Sequence, residues 1–193
     1  MIFEVLNVIT EEINSYLVDG TSVTLDNIAT IDTDNGDTPN GPTGIILSLL
    51  NLQEEFTLKN IPNHYVSGTE INYRNPKVNL NLFILFSANQ SSYTESLKSL
   101  SKVLEFFQGK KVFTQDNTTY SRESEGMEKL KNFKFLVDLY TPTFEELNFI
   151  WGTLGGKQYP SVIYKVSLVE IERDITQSKG TLITQIDNIL ERI

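Results

Sequence analysis

The chain has 193 residues, a formal net charge of −9 and no cysteine, and 39% of its residues are hydrophobic. This length and apolar content predict a globular protein with a buried core. The negative charge disfavours binding to nucleic acid, and the lack of cysteine excludes disulfides, thiolate zinc sites and cysteine nucleophiles. No apolar run suits a transmembrane helix and no basic segment of a signal peptide is present, so we expect no membrane partner and a cytoplasmic origin.

The first part of the chain alternates short ordered segments with polar ones. Apolar residues recur at helical spacing over residues 2–18, which predicts an amphipathic helix. A short strand is expected over 22–29, and the Asp-, Asn-, Gly- and Pro-rich stretch 30–44 predicts a solvated loop. Residues 45–58 are rich in apolar side chains but long for one strand. The polar residues 59–77 contain two prolines and predict a second long loop.

The clearest strand covers residues 78–88, VNLNLFILFSA. One face is apolar throughout and the other turns apolar from Phe83 onward, which is typical of a strand that enters a covered sheet. Ser92 and Glu95 can form a capping box at the start of the next helix. For that helix the pattern predicts one buried face, made of Tyr93, Leu97, Leu100, Val103, Leu104 and Phe107.

The remaining strands and the third helix follow the same logic. Short strands are expected over 112–114 and 131–140, and a longer one over 161–172. Thr143 is placed to cap a helix whose first turn carries two glutamates, which the positive end of the helix dipole favours. Its predicted buried face consists of Leu147, Ile150, Trp151 and Leu154.

The last segment carries an apolar stripe at helical spacing, formed by Leu182, Ile186, Ile189, Leu190 and Ile193. This stripe predicts an amphipathic helix that docks on the core or on a partner. We therefore divide the chain into an α+β domain, residues 1–176, and a C-terminal amphipathic helix, residues 177–193. The order of elements, with long loops between strands, predicts an α+β fold in which helices flank a mixed, mainly antiparallel sheet.

The stretch 152–161, GTLGGKQYPS, invites comparison with a phosphate-binding loop. Such a loop follows the pattern G-x-x-x-x-G-K-[ST] and lies between a strand and the amino end of a helix. Here the glycines are wrongly spaced from Lys157, Gln158 stands where a hydroxyl is needed, and the helix comes before the loop. We interpret the stretch as a turn in which these two side chains are candidate contacts.

The acidic loop 32–37, DTDNGD, resembles a calcium ligand pattern only loosely. Counted from Asp32, the positions that require glycine and glutamate in an EF-hand hold Asp37 and Thr43. A solvated loop is the favoured interpretation, and ion binding by its carboxylates stays open. We predict no metal site and no cofactor.

His64 is the chain's only histidine, so a Ser-His-Asp triad could be assembled in just one way. No G-x-S-x-G motif is present, and His64 lies in a polar segment. The adjacent glutamates at 11–12, 54–55 and 145–146 look like solvated or dipole-favouring charges, because neighbouring residues on a helix do not face each other. A hydrolase using His64 remains an alternative, but we predict that the protein is not an enzyme.

Four stretches, taken in order, resemble a known family. They are the opening helix pattern from Met1 to Leu17, the strand Val78–Asn89 with the helix up to Phe107, Thr143–Gly155 and Tyr159–Val166. Together they are similar to the amino-terminal domain of the tail-terminator, or cap, proteins of extracellular contractile injection systems. These are phage-tail-like particles of the antifeeding-prophage and virulence-cassette types. The resemblance extends to about Ile175, family members often continue beyond this domain, and the polar stretch 115–127 has no clear counterpart.

The resemblance implies a structural role. A protein of this family is expected to form a homohexameric ring that stops polymerisation of the inner tube and joins the last sheath ring. Its partners would then be itself, the tube protein and the sheath protein, in a particle assembled in the cytoplasm and open to extracellular release. Candidate contacts are Leu182, Ile186, Ile189, Ile193, Lys157 and Gln158. A baseplate or tube-adaptor subunit of the same particle is the main alternative.

Overall fold

The structure is a computed structural model that describes residues 1–18, 20–31, 42–59, 62–68, 70–121, 133–171 and 176–181. These residues fall into two compact units. The first unit comprises Met1–Glu54 and Leu80–Val169, and the second comprises Glu55–Asn79 with the chain from Glu170 onward. This division differs from the predicted boundary at residue 176, because both units are assembled from separate parts of the chain.

The described residues form three α-helices, two short 3-10 helices and nine strands. The α-helices are α1 (Ile2–Tyr16), α2 (Tyr93–Gly109) and α3 (Phe144–Thr153), and the 3-10 helices cover Ile28–Thr30 and Phe56–Leu58. The strands are β1 (Val23–Leu25), β2 (Gly44–Glu54), β3 (His64–Ser67), β4 (Glu70–Arg74), β5 (Val78–Asn89), β6 (Val112–Thr114), β7 (Lys134–Tyr140), β8 (Ser161–Ile171) and β9 (Thr176–Thr181).

A six-stranded sheet in the order β1-β2-β5-β8-β7-β6 forms the centre of the first unit. β1 pairs with β2 in parallel, whereas β2 with β5, β7 with β8 and β6 with β7 are antiparallel. The predicted α+β class with a mixed, mainly antiparallel sheet is confirmed. β5 lies inside this sheet and is almost entirely buried, as its two-sided apolar pattern predicted.

Helices cover both faces of this sheet. On one face α1 and α2 bury apolar side chains against β2, β5, β7 and β8, and the centre of that layer is an aromatic cluster. In it Phe107 lies 4.3 Å from the ring of Tyr164 and 5.5 Å from that of Phe86, measured between centroids. On the other face α3 buries Trp151 beside Leu85 of β5. Because each helix has one apolar stripe, a sheet covered on both faces is the arrangement that buries all three.

The buried face of α2 differs from the predicted one. Its buried residues are Ser96, Ser99, Leu100, Val103, Phe106 and Phe107. Tyr93 is 70% exposed, and Leu97 and Leu104 are also exposed. Ser96 and Ser99 are buried through polar contacts, since Ser96 donates to the Ser92 carbonyl and Ser99 accepts from Gln90. A buried face predicted from apolar residues alone therefore leaves both serines out. Ser92 caps α2 as predicted, because its hydroxyl accepts the Glu95 amide. The Glu95 side chain, predicted to complete a capping box, pairs with Lys98 at 2.8 Å.

Strand β2 contains a bulge. Leu49 pairs with Ile84 and Asn51 pairs with Phe83, so Leu50 is an extra residue without a counterpart on β5. The predicted apolar segment 45–58 thus divides into a bulged strand and the 3-10 helix Phe56–Leu58, which Glu55 caps through the Thr57 amide. The bulge explains how an apolar stretch that is long for one strand fits into the sheet.

The second unit is built on an antiparallel sheet in the order β3-β4-β9. The loop predicted over 59–77 is therefore wrong, since most of it is the hairpin β3–β4. Gly68, with φ of 62°, supplies the left-handed residue of its turn. β9 occupies 176–181, so the first residues of the predicted C-terminal helix 177–193 are extended, and residues 182–193 lie outside the described part of the chain.

Candidate assembly surfaces

The first candidate surface is a cationic pocket in the second unit, which we call the basic pocket. It has a volume of about 280 Å³ and is lined by Leu58, Lys59, Pro62, Asn63, His64, Tyr65, Arg74, Asn75, Pro76 and Lys77. The Arg74 amide donates to the carbonyl of Asn63 at 2.8 Å, which closes the hairpin end, and its guanidinium lies 4.2 Å from the ring centroid of Tyr65. Three cationic side chains thus line this pocket, and one of them, Lys77, forms an ion pair with Glu170 at 2.8 Å.

His64, the only candidate for a catalytic histidine, belongs to this pocket. It lies exposed on β3, and its ring centroid is 6.0 Å from that of Tyr73. None of the described residues that line the pocket is serine, aspartate or glutamate, so the pocket supplies neither of the partners that a triad requires. The histidine lies among cationic and amide side chains.

The second candidate surface is the amino-terminal end of α3. Thr143 caps the helix, as predicted, and forms a capping box with Glu146: the Glu146 amide donates to Thr143 Oγ1 at 3.2 Å, and the Thr143 amide donates to Glu146 Oε2 at 2.8 Å. The hydrogen bond from the Thr143 amide lowers the pKa of Glu146. The pKa of Tyr140 is raised, mainly by burial and in second place by the neighbouring Glu146. The capping box fixes the first turn of α3.

That first turn presents an aromatic ring and a carboxylate to solvent. Phe144 is 93% exposed, the largest exposed fraction of any aromatic residue in the described part of the chain. Glu145 follows it and is also exposed, with no hydrogen bond or ion pair to any described residue. An exposed aromatic ring on a helix end is a side chain of the kind that is enriched at protein interfaces.

The third candidate surface is a groove beside the other end of α3, about 660 Å³ in volume. It is lined mainly by apolar residues of β2 and α3, with Phe83, Tyr140 and Ile163 from the neighbouring strands. Phe149 is 63% exposed, and the half-exposed Leu49 and Leu52 lie on the two sides of the β2 bulge. Exposed apolar side chains concentrated in one groove are typical of a protein-binding surface.

Lys157 and Gln158, the candidate contacts of the glycine-rich stretch, are both exposed. They follow a turn in which Gly155 and Gly156 have φ of 105° and 82°, and the Gly156 amide donates to the carbonyl of Trp151 at 2.7 Å. The turn thus follows the carboxyl end of α3, where a phosphate would meet the negative end of the helix dipole. The interpretation as a turn fits this geometry.

The other predicted contacts and the acidic loop cannot be placed. Leu182, Ile186, Ile189 and Ile193 lie outside the described residues, as does the loop 32–37. Among the described residues, no group of three His, Cys, Asp or Glu side chains is arranged to hold a metal ion. No helix of the described chain has both the length and the apolar character needed to cross a lipid bilayer.

Glu11 and Glu12 have a structural role that the sequence did not reveal. Glu12 accepts the Thr119 amide at 2.8 Å and forms an ion pair with Lys110, and Glu11 accepts the Ser121 amide at 2.6 Å. The prediction of solvated charges is therefore wrong for this pair. Both carboxylates thus bind the segment after β6 to α1. The residues joined by these hydrogen bonds are more than 100 positions apart, so no local sequence pattern predicts the contact.

A sequence model of a known protein family matches this chain. The sequence model of the Pvc16 N-terminal domain matches residues 4–185, which is nearly the whole chain. The chain belongs to the Pvc16 N-terminal domain family. The resemblance to a tail-terminator family, inferred above from four stretches, is thereby confirmed.

Two solved structures share the fold of this Pvc16 N-terminal domain chain. One is the PVC sheath/tube terminator of an extracellular contractile injection system in its extended state, with a TM-score of 0.66 at 15% identity. The other is the tube-terminating cap of the anti-feeding prophage, with a TM-score of 0.65 at 14% identity.

The alignments cover 100% and 96% of the chain, but only 64% and 60% of those two proteins. The chain thus spans less than two thirds of their length. No curated protein matches it in sequence.

Proposed function

We propose that the chain is a tail terminator that ends the inner tube and joins the last sheath ring of a phage-tail-like contractile injection particle. The observation that carries this proposal is the fold shared, along the whole chain, with a protein described as a sheath/tube terminator and another described as a tube-terminating cap. The proposed partners are further copies of the chain in a six-membered ring, the tube protein and the sheath protein. Assembly takes place in the cytoplasm, and the particle acts outside the cell.

The surfaces of the chain support a role in assembly. A terminator needs one surface that matches the end of a polymer and complementary surfaces that close a ring, and each subunit of a ring gives one patch and receives another. The exposed end of α3, the apolar groove and the basic pocket are three chemically distinct surfaces of this kind. Leu182, Ile186, Ile189, Ile193, Lys157 and Gln158 are proposed as further contacts. A role in assembly through these surfaces requires no catalytic residue.

Electron microscopy of the purified protein, alone and mixed with tube protein, tests the proposal. Six-fold rings, free or on tube ends, are the expected result. A chain that stays monomeric and binds neither tube nor sheath ends contradicts it.

Deletion of the gene separates a terminator from a baseplate or tube-adaptor subunit. Without a terminator, particles with intact baseplates and irregular lengths are expected, because nothing stops tube growth. A complete loss of particles favours the baseplate alternative instead.

Substitution of the single histidine addresses the hydrolase alternative. Neither the wild-type protein nor His64→Ala is expected to turn over any substrate, because His64 lies in a pocket whose described lining offers no serine or carboxylate. Turnover of any substrate by the wild-type protein, lost in this variant, contradicts a purely structural role.

A further inference from the structure

The segment after β9, residues 182–193, has a sequence that suits binding in a groove. It lies outside the described residues, and its properties are those of its sequence. On a helix, which turns by about 100° per residue, its apolar residues all fall within an arc of about 120° and its polar residues fall on the remaining surface. The apolar residues are Leu182, Ile183, Ile186, Ile189, Leu190 and Ile193. Apolar anchors at such spacing are typical of amphipathic helices that bind in the apolar groove of a partner.

The apolar groove beside α3 has the complementary chemistry. Glu146 is the only charged residue of its described lining. That carboxylate is already engaged, since it accepts the Thr143 amide at 2.8 Å and the Tyr140 hydroxyl at 3.2 Å. A second groove, between α2 and β7, is lined by both Glu105 and Lys111. Charged residues are depleted at the core of interfaces, so the groove beside α3 is the better match for an uncharged helix face.

The edge of β2 along this groove favours a helix over a strand as the occupant. Leu49–Gln53 line the groove, and β1 pairs only with Ile45–Leu47, so within the described part of the chain this end of β2 is a sheet edge. The bulge at Leu50 interrupts the strand, and the Leu52 amide already donates to Asn51 Oδ1 at 2.8 Å. A bulge blunts a sheet edge, and an engaged amide cannot pair with an added strand. A partner must therefore bind here through its side chains.

The dimensions of the two surfaces agree. As a helix, residues 182–193 span roughly 16 Å, at about 1.5 Å per residue. The part of β2 that lines the groove, Leu49–Gln53, spans roughly 13 Å. Along it, Leu52 is 44% exposed and Phe149 of α3 is 63% exposed in the single chain. The groove thus offers a partner apolar contacts over about the length of the apolar helix face.

We propose that residues 182–193 of one copy bind as an amphipathic helix in the apolar groove of the next copy. This inference rests on the proposed ring and names one of its contacts. The segment follows β9 of the second unit and the groove belongs to the first, so the two patches are different surfaces of one chain. A contact between two different patches propagates from copy to copy until the ring closes.

One aspartate on each side of the contact tests the pairing. Ile186→Asp and Phe149→Asp each place a carboxylate in an apolar contact, where a charge without a partner is costly. We expect at least about tenfold weaker self-association of each variant in sedimentation velocity. At concentrations where the chain is monomeric, both variants should keep the wild-type urea midpoint. A lower midpoint of monomeric Ile186→Asp would mean that the segment packs on its own chain, which overturns the inference.

Asn188→Asp and Asn148→Asp are the matched controls. Asn188 falls on the polar side of the segment, and Asn148 is an exposed residue of α3 outside the described lining of the groove. Each control adds the same charge close in sequence to a test residue, and both are expected to associate like the wild type. Equal weakening by the controls would show a general effect of charge and overturn the inference.

The lack of cysteine in the chain allows a direct test by cross-linking. Chains carrying Ile189→Cys or Leu52→Cys are mixed and treated with a short bis-maleimide, and a cross-link between the two variants is expected. The double variant should give a ladder of covalent oligomers up to the full ring. Glu105→Cys on α2 replaces Leu52→Cys in the control, where no cross-link to Ile189→Cys is expected. A product confined to single chains of the double variant would place the segment in its own groove and overturn the inference.

The remaining outcomes separate this inference from the proposed function. If wild-type rings form but the two test variants form them equally well, or if the cross-link is absent, the docking inference alone is wrong. If Phe149→Asp keeps the rings and loses tube binding, the tube protein occupies the groove, and again only the docking inference is wrong. If the wild-type chain never self-associates, alone or on tube ends, the inference and the proposed ring are both wrong.

Discussion

The capping box of α3 allows a quantitative prediction for Thr143→Ala. The substitution removes the acceptor of the Glu146 amide at 3.2 Å and the hydroxyl that donates to Glu146 Oε2 at 3.2 Å, while the backbone bond from the Thr143 amide at 2.8 Å can remain. Loss of a threonine cap costs about 1 kcal/mol, within a range of roughly 0.5–2 kcal/mol. A helix of ten residues is marginal without its tertiary contacts, so the loss is expected to loosen its first turn as well.

Urea unfolding at pH 7 measures this cost as a lower midpoint at unchanged slope. Thr143→Ser keeps the hydroxyl and is the matched control, expected within about 0.5 kcal/mol of the wild type. The pKa of Glu146 is lowered in the fold, so its stabilising contribution is present above the ordinary carboxyl pKa and is lost as the pH falls through the lowered value. A Thr143→Ala chain as stable as the wild type, or a Thr143→Ser chain equally destabilised, would refute the reasoning.

Three further predictions concern the core and the backbone. Phe107→Ala should cost about 3–5 kcal/mol in urea unfolding, whereas Tyr93→Ala should stay within about 0.5 kcal/mol; equal effects would contradict the observed face of α2. Gly44→Ala should cost more than about 1 kcal/mol, because φ is 135° and a Cβ would lie 2.6 Å from the Ser22 carbonyl oxygen; an unchanged midpoint would contradict that geometry. Burial raises the pKa of Tyr164 to about 12, so the contribution of Tyr164 to stability should be constant below about pH 10 and fall between about pH 10 and 12, as the unfolded chain ionises first. Tyr164→Phe should reduce that fall, which urea midpoints across the alkaline range would show.

Local patterns were sufficient to predict the main elements of the first unit. The helix at the amino terminus, the strand predicted over 78–88 and the cap at Thr143 were all expected, because nearby residues carry their periodicity or their capping groups. The resemblance to a tail-terminator family also came from such stretches. The local patterns in this unit predict the same helices and strands that form its core. The fold class could therefore be predicted from the sequence.

The errors arose where contacts between distant residues decide the structure. The hairpin β3–β4 consists of short strands with polar side chains, and pairing with β9, about 100 residues later, completes its sheet. Serines at the buried face of α2 carry no apolar signal, and the carboxylates of Glu11 and Glu12 bind amides of a segment far along the chain. Such contacts appear only once the fold brings the partners together.

The candidate surfaces were the least predictable part. The basic pocket collects residues from both sides of the hairpin, so its three cations are separated in sequence by up to 18 positions. Phe144 was assigned only to the start of a helix, because a sequence pattern does not tell an exposed anchor from a buried one. Exposure and charge in the folded chain, rather than any local sequence pattern, therefore define these surfaces.

The bulge at Leu50 gives β2 an unusual tolerance to changes in length. Everywhere else in this strand, loss of one residue would shift the register against β5 and move the following side chains to the opposite face of the sheet. At Leu50 the same loss would remove the unpaired residue and leave the pairs on both sides intact, Leu49 with Ile84 and Asn51 with Phe83. The strand thus contains one position where evolution can shorten it by a residue and keep its alignment, at the edge of the apolar groove that Leu49 and Leu52 line.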